Sequence, residues 1–522
     1  MSFYLIILFL SEVFFNIYDY YLSSFLLLFF SIFIYFKKIK EKNIFIPKSF
    51  FLIFIFFFVL FWFSFAFSVD KKNTLIQLIN YLNLFILLIY SFNYKKEVKK
   101  NLINQLKLIY FLSIILFFIN IIFFNKFFPS LSLLFYNHHN QIGNYFILPF
   151  ILNLFNGLFF QLFLIFLIII SASRSAILSI IFLYVYRIIK NIFFKKPIRK
   201  DLLILLFLFL AFILVSNNFF NYFNIPFKKI DLLGNRIIYF KQAINYILKN
   251  PIFGVGLGNF NEISRQYSQN FSDWSISSHN FILDLIGENG ILILIPILFF
   301  YYRLIKENIF FKKDNLLFES FLGLTFLFLM DFSFKFVFFK VIYVILIGVL
   351  IKDSKKDYFP VAKLNLILKI TFLLFFFLIL SEIAFNFRYK KLSLIFNPLN
   401  YHSLEEQIKN KDSFLFLEQS FLIKWYFWLK NDFEGEAFVY SRCFDKKTCY
   451  FHLQSLIYKY PAYYLEYFPT LIKFNQEIYG KIKYFRLEKI LLNELRNKYF
   501  FKDKNSEVFK YIDYYCTRLI KC

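Results

Sequence analysis

The sequence predicts an all-α membrane protein: a polytopic transmembrane helix bundle of about 12–13 spans, followed by a helical C-terminal tail. Three observations predict this class. Of the 522 residues, 59% are hydrophobic, more than one soluble core can bury. The apolar residues form runs long enough to cross a bilayer, and clusters of Lys and Arg separate the runs.

The apolar runs define thirteen predicted spans. A helix needs about 20 apolar residues to cross the hydrocarbon core, because no backbone polar group can stay unpaired there. The N-terminus has no Lys or Arg before Lys37 and no small-residue cleavage site, so we expect a first span and not a removed signal peptide. The predicted spans are residues 3–18, 21–36, 50–68, 74–93, 104–124, 143–156, 158–171, 174–190, 201–217, 281–302, 315–331, 334–351 and 365–386.

The loops between the spans predict the orientation. With the N-terminus in the cytoplasm, five cytoplasmic loops are rich in Lys and Arg, and the positive-inside rule agrees at nearly every loop. These loops are 37–48, 94–103, 187–200, 303–314 and 352–364. We therefore expect a bacterial inner-membrane protein whose active face and C-terminal tail are periplasmic.

This topology divides the chain into four parts. Residues 1–217 form the N-terminal part of the bundle and 281–386 its C-terminal part. Residues 218–280 form a periplasmic loop, and 387–522 form the tail. The net charge of +27 could indicate nucleic acid, but the basic residues are dispersed between the apolar runs. We therefore interpret them as topology signals and expect no nucleic-acid partner.

The tail is charged and has helical periodicity. YPAYYLEYFPTLIKFNQEIYG and KIKYFRLEKILLNELRNKY predict a helix, a turn at Gly480 and a second helix, compatible with a helical-repeat hairpin. All four cysteines lie here, in two pairs six residues apart. They predict disulfides in an oxidising compartment, with free thiols as the alternative. The cysteines are Cys443, Cys449, Cys516 and Cys522.

Rare residue types gather in one stretch before the span at 281–302. The chain has only 12 Gly and 5 His, yet six glycines lie between 234 and 290, with His279 among them. The glycines of GVGLGNF do not have dinucleotide-binding spacing, so we predict a tight turn there. Glu288 lies about two turns inside the span and is expected to pair within the bundle.

Three arginines on the predicted periplasmic face are candidate anion ligands. Arg174 opens a span within SASRSAIL, and Arg236 and Arg265 lie in the long loop. A cation near hydrocarbon costs up to about 2.5–3.5 kcal/mol, so an anionic partner is expected. The planar fork of arginine suits a pyrophosphate. Snorkelling of Arg174 and solvated helix faces for the other two are the alternatives.

His279 is the candidate general base, because a neutral imidazole at the water boundary can accept the proton of a hydroxyl. The alternative is a surface histidine that caps a helix, although Asn280 is the better cap. His138, His139 and Asn140 lie at another mouth of the same face. They either line the donor or acceptor site or pack a loop.

Together, SASRSAIL, NRIIYFKQAINYILKNPIFGVGLGNF and SSHNFILDLIGENGILILI resemble the O-antigen ligase and polymerase superfamily, which includes bacterial protein O-oligosaccharyltransferases. In that superfamily an arginine follows a small-residue turn, a second opens a helix that ends in a Gly-rich turn, and a His-Asn pair heads the next span. The resemblance covers roughly residues 130–300. It implies a GT-C-type glycosyltransferase acting on a glycan linked to undecaprenyl pyrophosphate.

The resemblance also implies roles. Arg174 and Arg236 would hold the pyrophosphate, and His279 would deprotonate the acceptor hydroxyl, which inverts the anomeric carbon as it attacks. No metal or other cofactor is expected. Further candidate substrate contacts are Asn280, Arg265, His139 and Asn140.

Three acceptors fit this chemistry: lipid A-core for a ligase, a second glycan for a polymerase, or a protein Ser/Thr. We rank the ligase first. A transporter of lipid-linked glycans is the alternative of another class, and it should carry ionisable residues through the middle of its spans. The clear acids within spans, which include Asp284, Glu288, Glu319 and Asp331, are too few for such a path.

Overall fold

The computed structural model of the chain describes 4–14, 20–34, 45–124, 139–152, 158–171, 173–216, 236–308, 316–351, 358–360, 373, 446–499 and 503–517. Nearly all of these residues are helical, which confirms the predicted all-α class. The predicted span at 365–386 lies outside this set, apart from residue 373.

The helices of the first half follow the predicted apolar runs. They are α1 (Tyr4–Phe14), α2 (Tyr20–Ile34), α3 (Lys48–Ala66), α4 (Lys71–Asn93), α5 (Lys95–Phe124), α6 (His139–Ile151), α7 (Leu158–Ile170), α8 (Arg174–Phe193) and α9 (Arg199–Ser216).

The second half contains the loop helices, the rest of the bundle and the tail. Its helices are α10 (Arg236–Lys249), α11 (Phe260–Gln266), α12 (Phe281–Asn289), α13 (Leu294–Asn308), α14 (Leu316–Met330), α15 (Val337–Leu350), α16 (Lys446–Lys459), α17 (Pro461–Tyr464), α18 (Phe468–Tyr479), α19 (Lys481–Lys498) and α20 (Glu507–Tyr515).

Among the described residues, three helices are long and apolar enough to cross a membrane: Lys48–Ala66, Asn73–Asn93 and Arg174–Phe193. The second of these is buried along most of its length, whereas most side chains of α3 are exposed or only partly buried. An apolar helix with an exposed apolar surface is what a lipid environment requires. Shorter apolar helices surround them at Phe160–Ile169, Leu316–Met330 and Val337–Leu350.

One pair of short strands joins two loops that the sequence predicts to be cytoplasmic. Phe45–Pro47 (β1) pairs antiparallel with Tyr358–Pro360 (β2), and Ile46 lies opposite Phe359. The pair ties the start of α3 to the segment that follows α15.

The span predicted at 281–302 is not one continuous helix. The structure breaks it at Gly290, which has φ +85°, and a 3₁₀ turn at Ile291–Ile293 leads into α13. The Gly-rich turn of the loop causes the break, because Gly256 N donates to Glu288 O at 3.0 Å and Ile291 N donates to Pro251 O at 2.8 Å. A side chain at Gly254 or Gly290 would overlap the opposing backbone. Glycine is therefore required where the two segments meet.

The tail packs against the long loop. Residues of α11 and of the tail helices share one hydrophobic cluster, which includes Phe260, Ile263 and Phe468. Tyr460 Oη donates to Glu262 Oε2 at 2.7 Å, a contact that joins the two segments. The tail is thus fixed to the segment that leads to His279.

Inside the tail, the predicted turn is present, because Gly480 (φ +75°) separates α18 from α19. The helix predicted before it is interrupted by a 3₁₀ turn at Leu465–Tyr467. Cys449 is disulfide-bonded and Cys516 is buried, whereas Cys443 and Cys522 lie outside the described residues.

Candidate active site

A buried carboxylate, Asp331, lies at the centre of the candidate site. It follows the end of α14, and its side chain is fully buried. Asn144 Nδ2 (2.6 Å) and Ser333 Oγ (2.9 Å) donate to Asp331 Oδ2. Oδ1 faces His279 Nδ1 at 3.5 Å and an Arg236 guanidinium nitrogen at 3.8 Å. A buried carboxylate is stable only with hydrogen-bond donors and positive charge around it, and Asp331 has both.

The backbone of His279 has φ +62°, which is uncommon for a residue other than glycine. Three hydrogen bonds hold this turn. His279 N donates to Ser277 Oγ at 3.0 Å, while Ser277 Oγ (2.6 Å) and Ser278 N (2.7 Å) donate to the carboxylate of Asp284. Such strain persists only where the surroundings fix it, and it often marks a functional site.

The imidazole ring of His279 is held between two aromatic rings. Tyr239 stacks on it with centroids 5.5 Å apart, and Phe332 meets it edge-on at 5.1 Å. The side chain keeps 15% of its surface exposed. Since Nδ1 faces Asp331, Nε2 is the nitrogen on the opposite edge of the ring. This orientation suits a base whose second nitrogen is turned toward a carboxylate.

The two arginines that sequence assigned to a pyrophosphate each open a helix. Arg236 is the first residue of α10, and Arg174 is the first residue of α8, where Ser173 accepts from Ala176 N as the N-cap. Helix N-termini attract anions through free N–H groups and the helix dipole. At both arginines, the backbone N–H groups of the helix start therefore favour an anion in addition to the guanidinium.

Hydrogen bonds connect the start of α8 to Asp331. Ser173 Oγ donates to Asn144 Oδ1 at 3.2 Å, and Asn144 Nδ2 donates to Asp331. Gly143 permits this approach, since a side chain there would overlap the side chains of Ser171 and Ser173. Arg236 and His279 thus both face the carboxylate of Asp331. Two hydrogen bonds, through Ser173 and Asn144, connect this carboxylate to the start of α8.

The other candidate contacts lie differently. Arg265 is buried, ion-paired with Glu262 at 3.3 Å and placed over the ring of Trp274 at 4.9 Å. Because Glu262 also accepts from Tyr460, the structure places Arg265 in the junction between loop and tail, and a substrate contact of Arg265 stays a prediction.

Asn280 is the N-cap of α12, where its side chain accepts from Ile282 N and Leu283 N. Its Nδ2 donates to Leu329 O at 3.1 Å. These contacts tie the start of α12 to the end of α14. The side-chain amide of Asn280 thus hydrogen-bonds to the backbone of both helices. His139 and Asn140 lie in the first turn of α6, about one turn before Asn144, and their side chains are outside the described set, as is His138.

Sequence reasoning missed the residues around the histidine: Asp331, Asn144, Tyr239 and Phe332. Asp331 was counted only as an acid within a span. A usable signal existed, because Asp331 ends the predicted span at the mouth where His279 lies, and an acid there is expensive without a partner. Tyr239 lies one turn after Arg236 on α10.

A family model described as O-antigen ligase matches residues 159–298, about a quarter of the chain, and confirms the resemblance to the O-antigen ligase superfamily. The match includes Arg174, Arg236 and His279, whereas Asn144 and Asp331 lie outside it. No curated protein and no solved structure matches the chain. The superfamily is one of O-antigen ligase and polymerase-type glycosyltransferases, and together with the apolar helices it indicates a membrane protein.

Proposed function

We propose that this chain, which carries an O-antigen ligase domain at residues 159–298, moves a glycan from undecaprenyl pyrophosphate to an acceptor hydroxyl. The observation that carries the proposal is the shared carboxylate: His279 Nδ1 and the guanidinium of Arg236 both lie within 4 Å of Asp331 Oδ1. A base and an anion ligand are thereby held side by side. We assign lipid A-core as the acceptor, which makes the chain an O-antigen ligase.

The proposed reaction uses His279 as the general base. Nε2 accepts the proton of the acceptor hydroxyl while its oxygen attacks the anomeric carbon. The bond from that carbon to the pyrophosphate breaks, undecaprenyl pyrophosphate leaves, and the anomeric configuration inverts. Asp331 holds the ring and stabilises the imidazolium that forms, as the acid of a catalytic triad does.

Arg236 and Arg174 bind the pyrophosphate in this proposal. The guanidinium of Arg236 is 21% exposed, so it can contact Asp331 and still reach a ligand. A pyrophosphate leaves more readily when its charge is balanced, and each helix start adds backbone donors to the guanidinium. The reaction needs no metal or other cofactor, and we expect transfer to persist in a chelator such as EDTA.

We further propose that the bundle lies in the bacterial inner membrane, with the site and the tail on the periplasmic side. The distribution of Lys and Arg among the loops supports this orientation. The paired strands β1 and β2 join two of the basic loops assigned to the cytoplasm.

Protein O-oligosaccharyltransferase is the second candidate function. The docking of the tail on the loop, through contacts such as Tyr460 with Glu262, supports this candidate, because a tail held there could present a protein acceptor. A polymerase would use the same chemistry with a glycan acceptor.

His279→Ala tests the enzyme class. In nanodiscs with a lipid-linked glycan donor, we expect kcat to fall by about 10²–10⁴, the usual contribution of a general base, while donor binding persists. His452→Ala, on tail helix α16, is the matched control and should keep the wild-type rate. Transfer by His279→Ala at the wild-type rate would refute the assignment.

Two further measurements separate the alternatives. A transporter would flip labelled lipid-linked glycan in proteoliposomes that contain no acceptor, and the proposed enzyme would not. A deletion strain identifies the acceptor. A strain without a ligase loses long-chain lipopolysaccharide, a strain without a polymerase makes shorter chains, and a strain without a protein-glycosylating enzyme loses glycoprotein.

A further inference from the structure

A buried lysine lies between two carboxylates of α12, the helix that follows the candidate base in the chain. Lys335 Nζ is 2.7 Å from Glu288 Oε1 and 3.4 Å from Asp284 Oδ2. The side chain of Lys335 is 9% exposed, and those of both acids are 4% exposed. Glu288 thus pairs within the bundle, as its sequence position predicts.

Lys335 joins the two segments that carry the base and its carboxylate. It is the last residue of the 3₁₀ turn Phe332–Lys335, which directly follows Asp331. Its two partners lie on α12, the helix that begins two residues after His279. Any shift of α12 along the turn would therefore change the separation between His279 and Asp331.

A second path leads from Lys335 to the strained turn. Asp284, its partner, accepts from Ser277 Oγ and Ser278 N, and Ser277 Oγ accepts from His279 N. Lys335, Asp284 and Ser277 thus form a chain of polar contacts that ends at the backbone of the histidine. These contacts surround the positive-φ turn of His279, a conformation that persists only where its surroundings fix it.

A second buried lysine, Lys340, lines one small cavity together with Lys335. The cavity is lined by Gln77, Tyr81, Asp284, Glu288, Lys335 and Lys340, among others. Lys340 Nζ lies 3.4 Å from Gln77 Oε1 and over the rings of Tyr81 and Phe334. It is as buried as Lys335, but its hydrogen bond runs to α4 and not to α12.

Buried ion pairs rarely add stability over well-packed apolar side chains, because both charges lose their hydration. Their best-attested use is to specify one arrangement of the elements that they join. We propose that Lys335 is a positioning residue for His279, which sets the register between α12 and the turn after Asp331. This inference rests on the proposed function, in which His279 is the base.

Lys335→Met tests the inference, because methionine keeps most of the volume and removes the charge. We expect kcat to fall by about 10–100-fold, since a misplacement near 1 Å can cost about 10² in rate. Donor KM should stay within about twofold, because Arg174 and Arg236 are untouched. Lys340→Met, the matched control, should change kcat by less than about threefold. An unchanged kcat in Lys335→Met, or an equal loss in Lys340→Met, would overturn the inference.

Chemical labelling gives a readout that does not depend on transfer. Diethyl pyrocarbonate modifies accessible imidazoles, and peptide mass spectrometry separates His279 from His452, the internal reference. We expect His279 to react several-fold faster relative to His452 in Lys335→Met, because the ring leaves its stack on Tyr239, and at the wild-type rate in Lys340→Met. Equal labelling in Lys335→Met and wild type would contradict the positioning role.

These two readouts separate this inference from the proposed function. If the wild-type protein transfers no glycan, the proposed function fails while the labelling still tests the positioning. If Lys335→Met does not fold, the double variant with Glu288→Gln removes both charges of the closest pair and should show the same labelling change. Wild-type labelling in that folded double variant would also overturn the inference.

Discussion

Replacing Asp331 by asparagine removes one charge at the centre of the site with almost no change in shape. The new side chain could still accept one hydrogen bond, but its amide nitrogen would face donors from Asn144, Ser333 or Arg236. We expect Asp331→Asn to lower kcat strongly and donor KM little, because the carboxylate acts on the base and not on the substrate.

The magnitude follows from the distance. A carboxylate and an imidazolium 3.5 Å apart attract by about 5 kcal/mol at an effective dielectric constant of about 20. The partial exposure of His279 and the competing charge of Arg236 reduce this to about 3 kcal/mol. Since about 1.4 kcal/mol corresponds to a factor of ten, we expect kcat to fall by about 100-fold.

Glu319→Gln, on the helix that ends just before Asp331, is the matched control. Glu319 is buried and pairs with Arg187 at 2.7 Å and Lys190 at 3.4 Å. It lies in the first turn of α14, about 17 Å from the end of the helix that leads to Asp331. Both variants break a buried pair and should lose about 3–5 kcal/mol of stability. Only Asp331→Asn should lose transfer among the molecules that remain folded.

The assay measures kcat and donor KM in nanodiscs, with thermal unfolding recorded on the same samples. Two results would refute the reasoning. One is wild-type kcat in folded Asp331→Asn protein. The other is an equal loss of kcat in Glu319→Gln, which would trace the effect to stability alone.

Three further predictions concern the fold around the site. Gly290→Ala should lower the melting temperature well below that of Gly480→Ala, because both positions have positive φ but only the first would place a methyl group against backbone; equal melting temperatures would contradict this. Tyr460→Phe should lower the free energy of unfolding by about 1–3 kcal/mol, because the hydrogen bond to buried Glu262 is lost, and proteolysis should release the tail faster. An unchanged rate of release would show that the contact does not hold the tail. Burial raises the pKa of Glu488 in the tail, so the wild-type tail should lose stability as pH rises from the unfolded pKa of about 4.3 through the folded pKa. Hydrogen exchange between about pH 4 and 8 should show this loss in the wild type and not in Glu488→Gln. Parallel stability profiles of the two proteins would contradict the prediction.

Much of the fold could be predicted from the sequence, because hydrophobic runs and helix-breaking residues act locally. The apolar runs located the helices, and the turn at Gly480 followed from the break in periodicity there. The break at Gly290 could not be found this way. Residues 281–302 form one apolar run in which glycines occur at 287 and 290, and a glycine inside such a run does not by itself end a helix. The packing of the Gly-rich turn against the end of α12 decides that the helix ends at Gly290.

The candidate site divides in the same way. His279 and Arg174 were singled out from the sequence as rare polar residues at the edge of an apolar run, and Arg236 as the arginine that opens the loop helix. Arg265 resembled them in sequence, but the structure places it against Glu262 and Trp274. Sequence position alone could not separate these arginines, since it does not show which side chains share a surface.

The helical segments, the segments suited to an apolar environment and the candidate base and anion ligands could all be inferred from the amino-acid sequence. The packing of the helices shows in addition that Asp331 lies beside His279 and that Lys335 ties α12 to the turn that follows Asp331. Periodicity and charge are properties of neighbours along the chain. The contact between His279 and Asp331 joins residues far apart in sequence, and it exists because α12 and α14 pack together.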